Sequence, residues 1–359
     1  MDSSGNILSP AVQFIDKYAD QSMGSHVIGI SPFLTQWDYM TESAFLHNIE
    51  SITELALADF PPEDQKLIVY PEHIGTWFSV LGEPEEVIAA KSLAQALTIA
   101  CSQPDRKRAI ESLLPLIAAD DPIITYSRAT LLLKAQIMLE TYVKIFAGLA
   151  KKHNAYIVAG SILAPEFVIG NDSRITITGQ KIYNTSIVFN PEGKPIAFIN
   201  KIHLVSSEQF LAVPGNKNDL KTAQTALGEI GVMICADGWY ADTYEAYSSA
   251  DILVQPSYLD PLEKWTLPWQ KGIGATNGDE KLTEGEAWKK YSLEGRFSAT
   301  NARVGVNVFM HGRIWDVNVG GRAFIIHRNS LDETPIIIEE PDITKPSILH
   351  VQINRQMPF

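Results

Sequence analysis

The strongest constraint on the fold is a series of short apolar runs, each closed by turn-forming residues and separated by stretches with helical spacing. Residues 26–31 (HVIGIS), 66–70 (KLIVY), 155–163 (AYIVAGSIL), 229–236, 251–255 (DILVQ) and 304–310 have the length and β-branched content of buried strands. Between them, residues 43–58 place Phe45, Ile49, Ile52, Leu55 and Ala56 at the helical period. Residues 83–122 are mostly helical in pattern, and 129–151, 244–250 and 288–300 read as further helices. Residues 183–201 form a strand–turn–strand unit around Asn190, Pro191, Glu192 and Gly193, and residues 322–351 contain another hairpin. Strands alternating with helices imply an α/β fold, and the hairpins make its sheets mixed. The expected organisation is an extension over 1–25 with a short helix near 11–19, one domain over 26–345 with an insertion at 77–128, and a tail over 346–359.

Composition narrows the function. Hydrophobic residues make up 45% of the 359-residue chain, enough for a substantial core. A formal charge of −13 repels phosphate backbones, and the basic runs are short and isolated, so no nucleic-acid partner is expected. No apolar stretch approaches a bilayer span and residues 1–10 lack a secretory pattern, so no membrane partner is expected. Cys101 and Cys235 are too few for a disulfide framework, which fits a reducing cytoplasm.

Three segments each end a predicted strand with a reactive group: LIVYPEHIGTW with Glu72, IAFINKIHL with Lys201, and GVMICADGWY with Cys235. Taken singly, each has a bland reading: a capping carboxylate, a solvated lysine, a buried structural thiol. Together they supply a base, a cation and a nucleophile. A helix beginning at Cys235 is expected to favour its thiolate. Histidine 203 has the spacing of a satisfied structural imidazole, and Cys101 that of a packing residue.

These blocks resemble, in order, the signatures of the nitrilase (carbon–nitrogen hydrolase) superfamily. Tyr183-Asn184-Thr185 resembles the family's Tyr-Asn-Ser, Glu208 its second glutamate, and Ala250-Asp251-Ile252-Leu253 the strand after the nucleophile; the likeness covers about residues 27–327. The resemblance implies a four-layer α–β–β–α sandwich and hydrolysis of a small non-peptide amide or carbamoyl compound through a cysteine thioester. It assigns Cys235 as nucleophile, Glu72 as base, Lys201 with the Ala236 N–H as oxyanion donors, and Glu208 as a positioning group. His73, Trp239 and Tyr258 would line the substrate pocket. No metal or organic cofactor is implied, and a homodimer or larger homo-oligomer is. Where many amidases have Pro-Glu after the cysteine, this chain has Ala241-Asp242. Nitrile-cleaving members have Trp-Glu directly after it, whereas Ala236-Asp237 stands here, which favours amide over nitrile. The alternatives are a nitrilase and a non-catalytic binding protein of the same fold. The enlarged segments at 77–128 and 258–286 are expected to shape the acyl pocket.

Overall fold

A computed structural model describes residues 11–15, 24–117, 119–170, 172–270, 272, 276 and 279–353. Most of its strands form two facing sheets, and Val317–Val319, His311–Ile314 and Phe33–Thr35 form a third, three-stranded one. In the larger, the order is Ala11–Ile15, Ser347–Ile353, Ser25–Ser31, Gln65–Val69, Tyr156–Val158, Ile175–Phe189 and Ile162–Ile169, with Pro195–Asn200 also paired to Ile175–Phe189. The smaller runs Ile336–Glu339, Phe324–His327, Val304–Phe309, Ile252–Ser257, Gly228–Val232 and Ala223–Thr225. Parallel and antiparallel pairs occur in both.

Strand periodicity explains the layering. Along the larger sheet Ile28, Ile30, Ile68, Tyr70 and Ile157 join a core with Phe45, Ile49, Tyr142 and Phe146 of helices Glu42–Leu57 and Ala135–His153. Their neighbours Val27, Leu67, Val69 and Val158 face the other way, into a core with Ile230, Val254, Val304 and Val306 of the second sheet. Both faces are buried, so the runs read as continuous rather than alternating apolar. A Cβ at Gly29 would lie 2.8 Å from Val308, so a side chain there would collide with the opposite sheet. Behind the second sheet, Tyr247, Leu293 and Phe297 cover Gly231 and Gly305. The result is the four-layer α–β–β–α sandwich. Among the described residues no helix is long and apolar enough to cross a membrane.

Several local expectations are corrected. Ala11–Ile15 is an edge strand rather than a helix, and residues 16–19 lie outside the described set. A five-residue apolar segment carries too little periodicity to choose, and pairing with Ser347–Ile353 decides. That partner strand overturns the expected tail: it lies inside the large sheet, antiparallel to Ser25–Ser31 of the same chain, while residues 354–359 lie outside the described set. The helical stretch at 129–151 belongs to two helices, Pro122–Leu133 and Ala135–His153, separated at Lys134. Leu55 faces outward, because Phe45, Ile49, Ile52 and Ala56 already define the buried stripe. The helix expected over 288–300 begins earlier, at Glu284, where Thr283 and Glu286 form a capping box; it breaks at Ser292 and resumes as the helix Leu293–Arg296 and the 3₁₀ turn Phe297–Ala299.

The inserted region has its own small core. Cys101, Ile110, Ile117 and Ala129 pack together across helices Leu93–Ser102, Pro104–Ile117 and Pro122–Leu133. Glu83 fastens this unit: Arg106 grips both its oxygens at 2.9 and 2.7 Å, and Lys134 reaches it at 2.5 Å.

Candidate active site

The first element is a tight turn after strand Gln65–Val69. Gly160 has φ +64, and a Cβ there would stand 1.9 Å from the Pro71 carbonyl oxygen. Only glycine permits that approach. The adjacent Ser161 then receives the His73 N–H on its hydroxyl at 2.9 Å and the Gly75 N–H on its carbonyl at 2.9 Å. His73 itself adopts φ +61. Glu72 is thereby turned inward and buried, although it follows a strand end.

The second element is the hairpin of Ile175–Phe189 and Pro195–Asn200, closed by the Asn190–Lys194 turn with Gly193 at φ +75. Lys201 follows it immediately. Its backbone N–H donates to Asn184 at 2.9 Å and its carbonyl accepts from Gly215 at 2.8 Å, so both backbone groups are held. Its ammonium is 1% exposed and lies 2.7 Å from Glu72 Oε1 and 2.5 Å from Glu208 Oε2. Glu208 begins a short 3₁₀ turn and also accepts the Val205 N–H at 3.1 Å.

The third element is the turn at Cys235, which has φ +50 and opens a 3₁₀ segment to Trp239. A non-glycine residue in that region is strained by on the order of 1–3 kcal/mol and persists only when its surroundings hold it. Two buried side chains do so. Asp237 accepts the N–H groups of Ile202, His203 and Ile234 at 3.1, 2.8 and 3.2 Å, tying the cysteine turn to the backbone just after Lys201. Gln255 donates to the Cys235 carbonyl at 2.7 Å. The Cys235 thiol donates to the Tyr258 carbonyl at 3.6 Å.

Electrostatics set the resting state. Burial, followed by the negative charge of Glu72, pushes the Cys235 thiol well above its ordinary value, and Lys201 counters only in part. The helix expected to favour the thiolate is a five-residue 3₁₀ turn, and burial together with the Glu72 charge works against a thiolate there. For Lys201, burial works against the charge, but Glu72, the cysteine sulfur and Glu208 override it and raise it well above the ordinary ammonium range. For Glu208, desolvation is likewise overcome, chiefly by Lys201, and the carboxyl falls far below its usual range. Burial lifts Asp237 to about 7 against the three amides that favour its charged form.

The structure thus gathers Glu72, Lys201, Glu208 and Cys235 into one electrostatic unit. His73 stands at its edge, with Nε2 3.6 Å from Glu208 and its ring edge-on to Tyr258 at 5.1 Å. Ala236 is half-buried beside the nucleophile. Trp239 packs in an aromatic group with Trp288 and Trp269, at 5.2 and 6.0 Å. His203 stacks on Tyr240 and pairs with Asp242 at 2.9 Å, so Asp242 serves as its partner. Glu72, His73 and Glu208 offer ligand atoms within 4.8 Å of one another, yet the Lys201 ammonium already sits against both carboxylates and would repel a metal ion there. Asn184, Asp237 and Gln255 were not singled out as site residues from the sequence. The local signal for Asn184 was a polar residue opening the buried run NTSIVF.

A thiol beside a carboxylate–ammonium–carboxylate group thus lies at the strand ends of a four-layer sandwich, the arrangement of a hydrolase. The carbon–nitrogen hydrolase model matches residues 34–273, about two thirds of the chain, and the chain belongs to that family. Human pantetheine hydrolase VNN2 is 37% identical over 94 residues, which is 26% of this chain and 18% of that one. The omega-amidase NIT3 of Saccharomyces cerevisiae is 36% identical over 106 residues, 27% of this chain and 32% of that one. The matches therefore span 18% and 32% of those relatives' lengths. Among solved structures, a mutant amidase of Nesterenkonia sp. AN1, with the acetamide moiety of fluoroacetamide on its active-site cysteine, superimposes with a TM-score of 0.53. It is 12% identical, with 94% of each chain covered. A carbon–nitrogen hydrolase of Helicobacter pylori gives 0.52 at 14% identity, with 93% and 90% covered. At such identities these likenesses establish the fold.

Proposed function

We propose that this chain hydrolyses a small non-peptide amide through a thioester on Cys235. One observation carries the reading: beside a buried thiol, the Lys201 ammonium is held between the Glu72 and Glu208 carboxylates at 2.7 and 2.5 Å. Glu72 Oε1 accepts from both Lys201 and Asn184, while Oε2 accepts no hydrogen bond among the described residues. Oε2 is the atom left to take the thiol proton as sulfur attacks the amide carbon. Lys201 and the Ala236 N–H would stabilise the resulting oxyanion. The tetrahedral intermediate then expels its amine, which takes the proton back from Glu72 and leaves the acyl group on sulfur. Water attacks that thioester, with Glu72 again as base, and releases the acid and the free thiol.

Glu208 is unsuited to the base role. Oε1 accepts from Asn184 and Oε2 from Lys201 and Val205, so both oxygens are engaged. His73, Tyr258 and Trp239 would contribute walls of the acyl pocket.

Intact-mass spectrometry tests the proposal. Wild type and Cys235→Ala are exposed to fluoroacetamide and to a panel of amides that includes pantetheine and ω-amides, with nitriles alongside. The expected result is one adduct on wild type, none on Cys235→Ala, and amine or ammonia release from amides. Cleavage of nitriles alone, or an adduct carried by Cys101, would overturn it.

A further inference from the structure

Asn184 has no part in the chemistry above, yet it makes the connection on which the charged group depends. It is 0% exposed and lies mid-strand, opposite Leu163, with its carbonyl accepting the Lys201 N–H. Its side-chain nitrogen is 2.8 Å from Glu72 Oε1 and 2.8 Å from Glu208 Oε1. A primary amide nitrogen has two protons, and both are spent here. The flipped amide would set an oxygen against two carboxylate oxygens, so the geometry itself assigns the nitrogen to that side.

The contacts close a ring. Asn184 joins Glu72 to Glu208 on one side, and Lys201 joins them at 2.7 and 2.5 Å on the other. Two buried carboxylates this close repel each other, and with a single donor group one of them would gain by taking up a proton. A second donor, neutral and rigidly mounted on the sheet, favours the doubly ionised state without adding a charge that would compete with Lys201. It also occupies Oε1 of Glu72 from a second direction, which prevents the carboxylate from rotating and keeps Oε2 as the only open oxygen.

We infer that Asn184 is a positioning residue for the hydrolase reaction, holding Glu72 in the one orientation in which Oε2 can receive the Cys235 proton. This rests on the reading of Cys235 and Glu72 given above. The titratable groups facing the pair are Lys201, His73 and Cys235, with Asp237 acting on Lys201 and Tyr258 on Glu72.

The test is the rate of Cys235 labelling by fluoroacetamide against pH, in wild type, Asn184→Ala and Asn184→Asp, with Cys235→Ala as blank. Sulfur displaces fluoride and the thiol proton leaves on the base; since fluoroacetamide is also an amide, only the S-acetamide thioether, distinguished by mass from a fluoroacetyl thioester, is counted as labelling. Asn184→Ala should label about 10- to 100-fold more slowly, a fraction of the full value of a general base. The acidic limb of its pH profile should move as well, because the base has lost a hydrogen bond. Asn184→Asp should be slower still, because it keeps the shape and adds a third carboxylate. A packing role predicts the reverse order, with Asp better than Ala and the limb unmoved; that outcome, or labelling at the wild-type rate, overturns the inference. Folding of the variants is checked by circular dichroism. A measurement on wild type needs no variant: both side-chain amide protons of Asn184 should exchange with solvent slowly, over hours, in NMR spectra, and rapid exchange of either one overturns the inference. A folded wild type that is not labelled at Cys235 would bring down the functional reading and this inference with it. Labelled wild type with indifferent Asn184 variants would bring down the inference alone.

Discussion

Two buried ionic clusters in this molecule are near mirror images. At the strand ends one cation, Lys201, sits between two carboxylates, Glu72 and Glu208. At the foot of the inserted helices one carboxylate, Glu83, sits between two cations, Arg106 and Lys134. In the second cluster nothing is left over. The guanidinium fork takes both Glu83 oxygens, and the Lys134 ammonium also binds the Leu81 carbonyl at 2.5 Å. Arg106 remains 22% exposed, so water shares the cost of its charge. In the first cluster the lysine is 1% exposed, and one oxygen of Glu72 accepts no hydrogen bond among the described residues. The difference teaches what separates a fastening from a reactive site: the clamp engages both oxygens of its carboxylate, whereas the site leaves one carboxylate oxygen without a donor among the described residues.

Replacing Lys201 should have the largest consequence. Lys201→Met leaves two desolvated carboxylates without a counter-charge, and stability should fall by about 3–5 kcal/mol in chemical denaturation. Labelling of Cys235 should vanish at the same time. A stable, reactive Lys201→Met would mean that the ring is not the site.

Glu72→Gln separates chemistry from stability. It leaves Lys201 with one carboxylate, so stability should change by less than about 1 kcal/mol, while Cys235 labelling should fall about 10²- to 10⁴-fold. Glu83→Gln is the counterpart. It leaves two cations facing a neutral amide, and stability should drop by about 1–3 kcal/mol. Fluoroacetamide labelling of Cys235 should be unchanged. If either variant behaved like the other, the distinction between the clusters would fail.

Acid should dismantle them in order. Burial opposes the charge of both Glu83 and Glu208, but cationic partners win in each and lower the carboxyl, further for Glu208 than for Glu83. A carboxyl lowered in the folded state adds stability that is present above its unfolded value of 4.5 and lost as pH falls through the folded value. Hydrogen exchange along Pro104–Ile117 should therefore quicken at a higher pH than exchange along Pro195–Asn200. The opposite order would show that the site is the weaker cluster.

The α/β class with mixed sheets was legible because each buried run advertises its strand, whereas the four-layer sandwich came only from the family resemblance. Glu72, Lys201 and Cys235 stood out at the ends of predicted strands, and Glu208 only through the resemblance; their convergence is a matter of the tertiary structure. The edge strand Ala11–Ile15 and the inserted strand Ser347–Ile353 were not legible, because a few apolar residues suit several structures until a partner strand selects one. The break at Lys134 is set by its ammonium reaching Leu81 and Glu83, residues of another segment.

By itself, then, the amino-acid order determined which segments become strands and helices, and which reactive side chains stand at their ends. Those are local properties, written in period and residue type. Only the tertiary structure decided that the thiol is buried beside Glu72, that Asn184 joins two carboxylates, and that among the described residues one glutamate has an oxygen to spare while the other has none. Such states depend on desolvation and on hydrogen-bond partners 112 and 129 positions apart, and no local pattern encodes a distance of that kind.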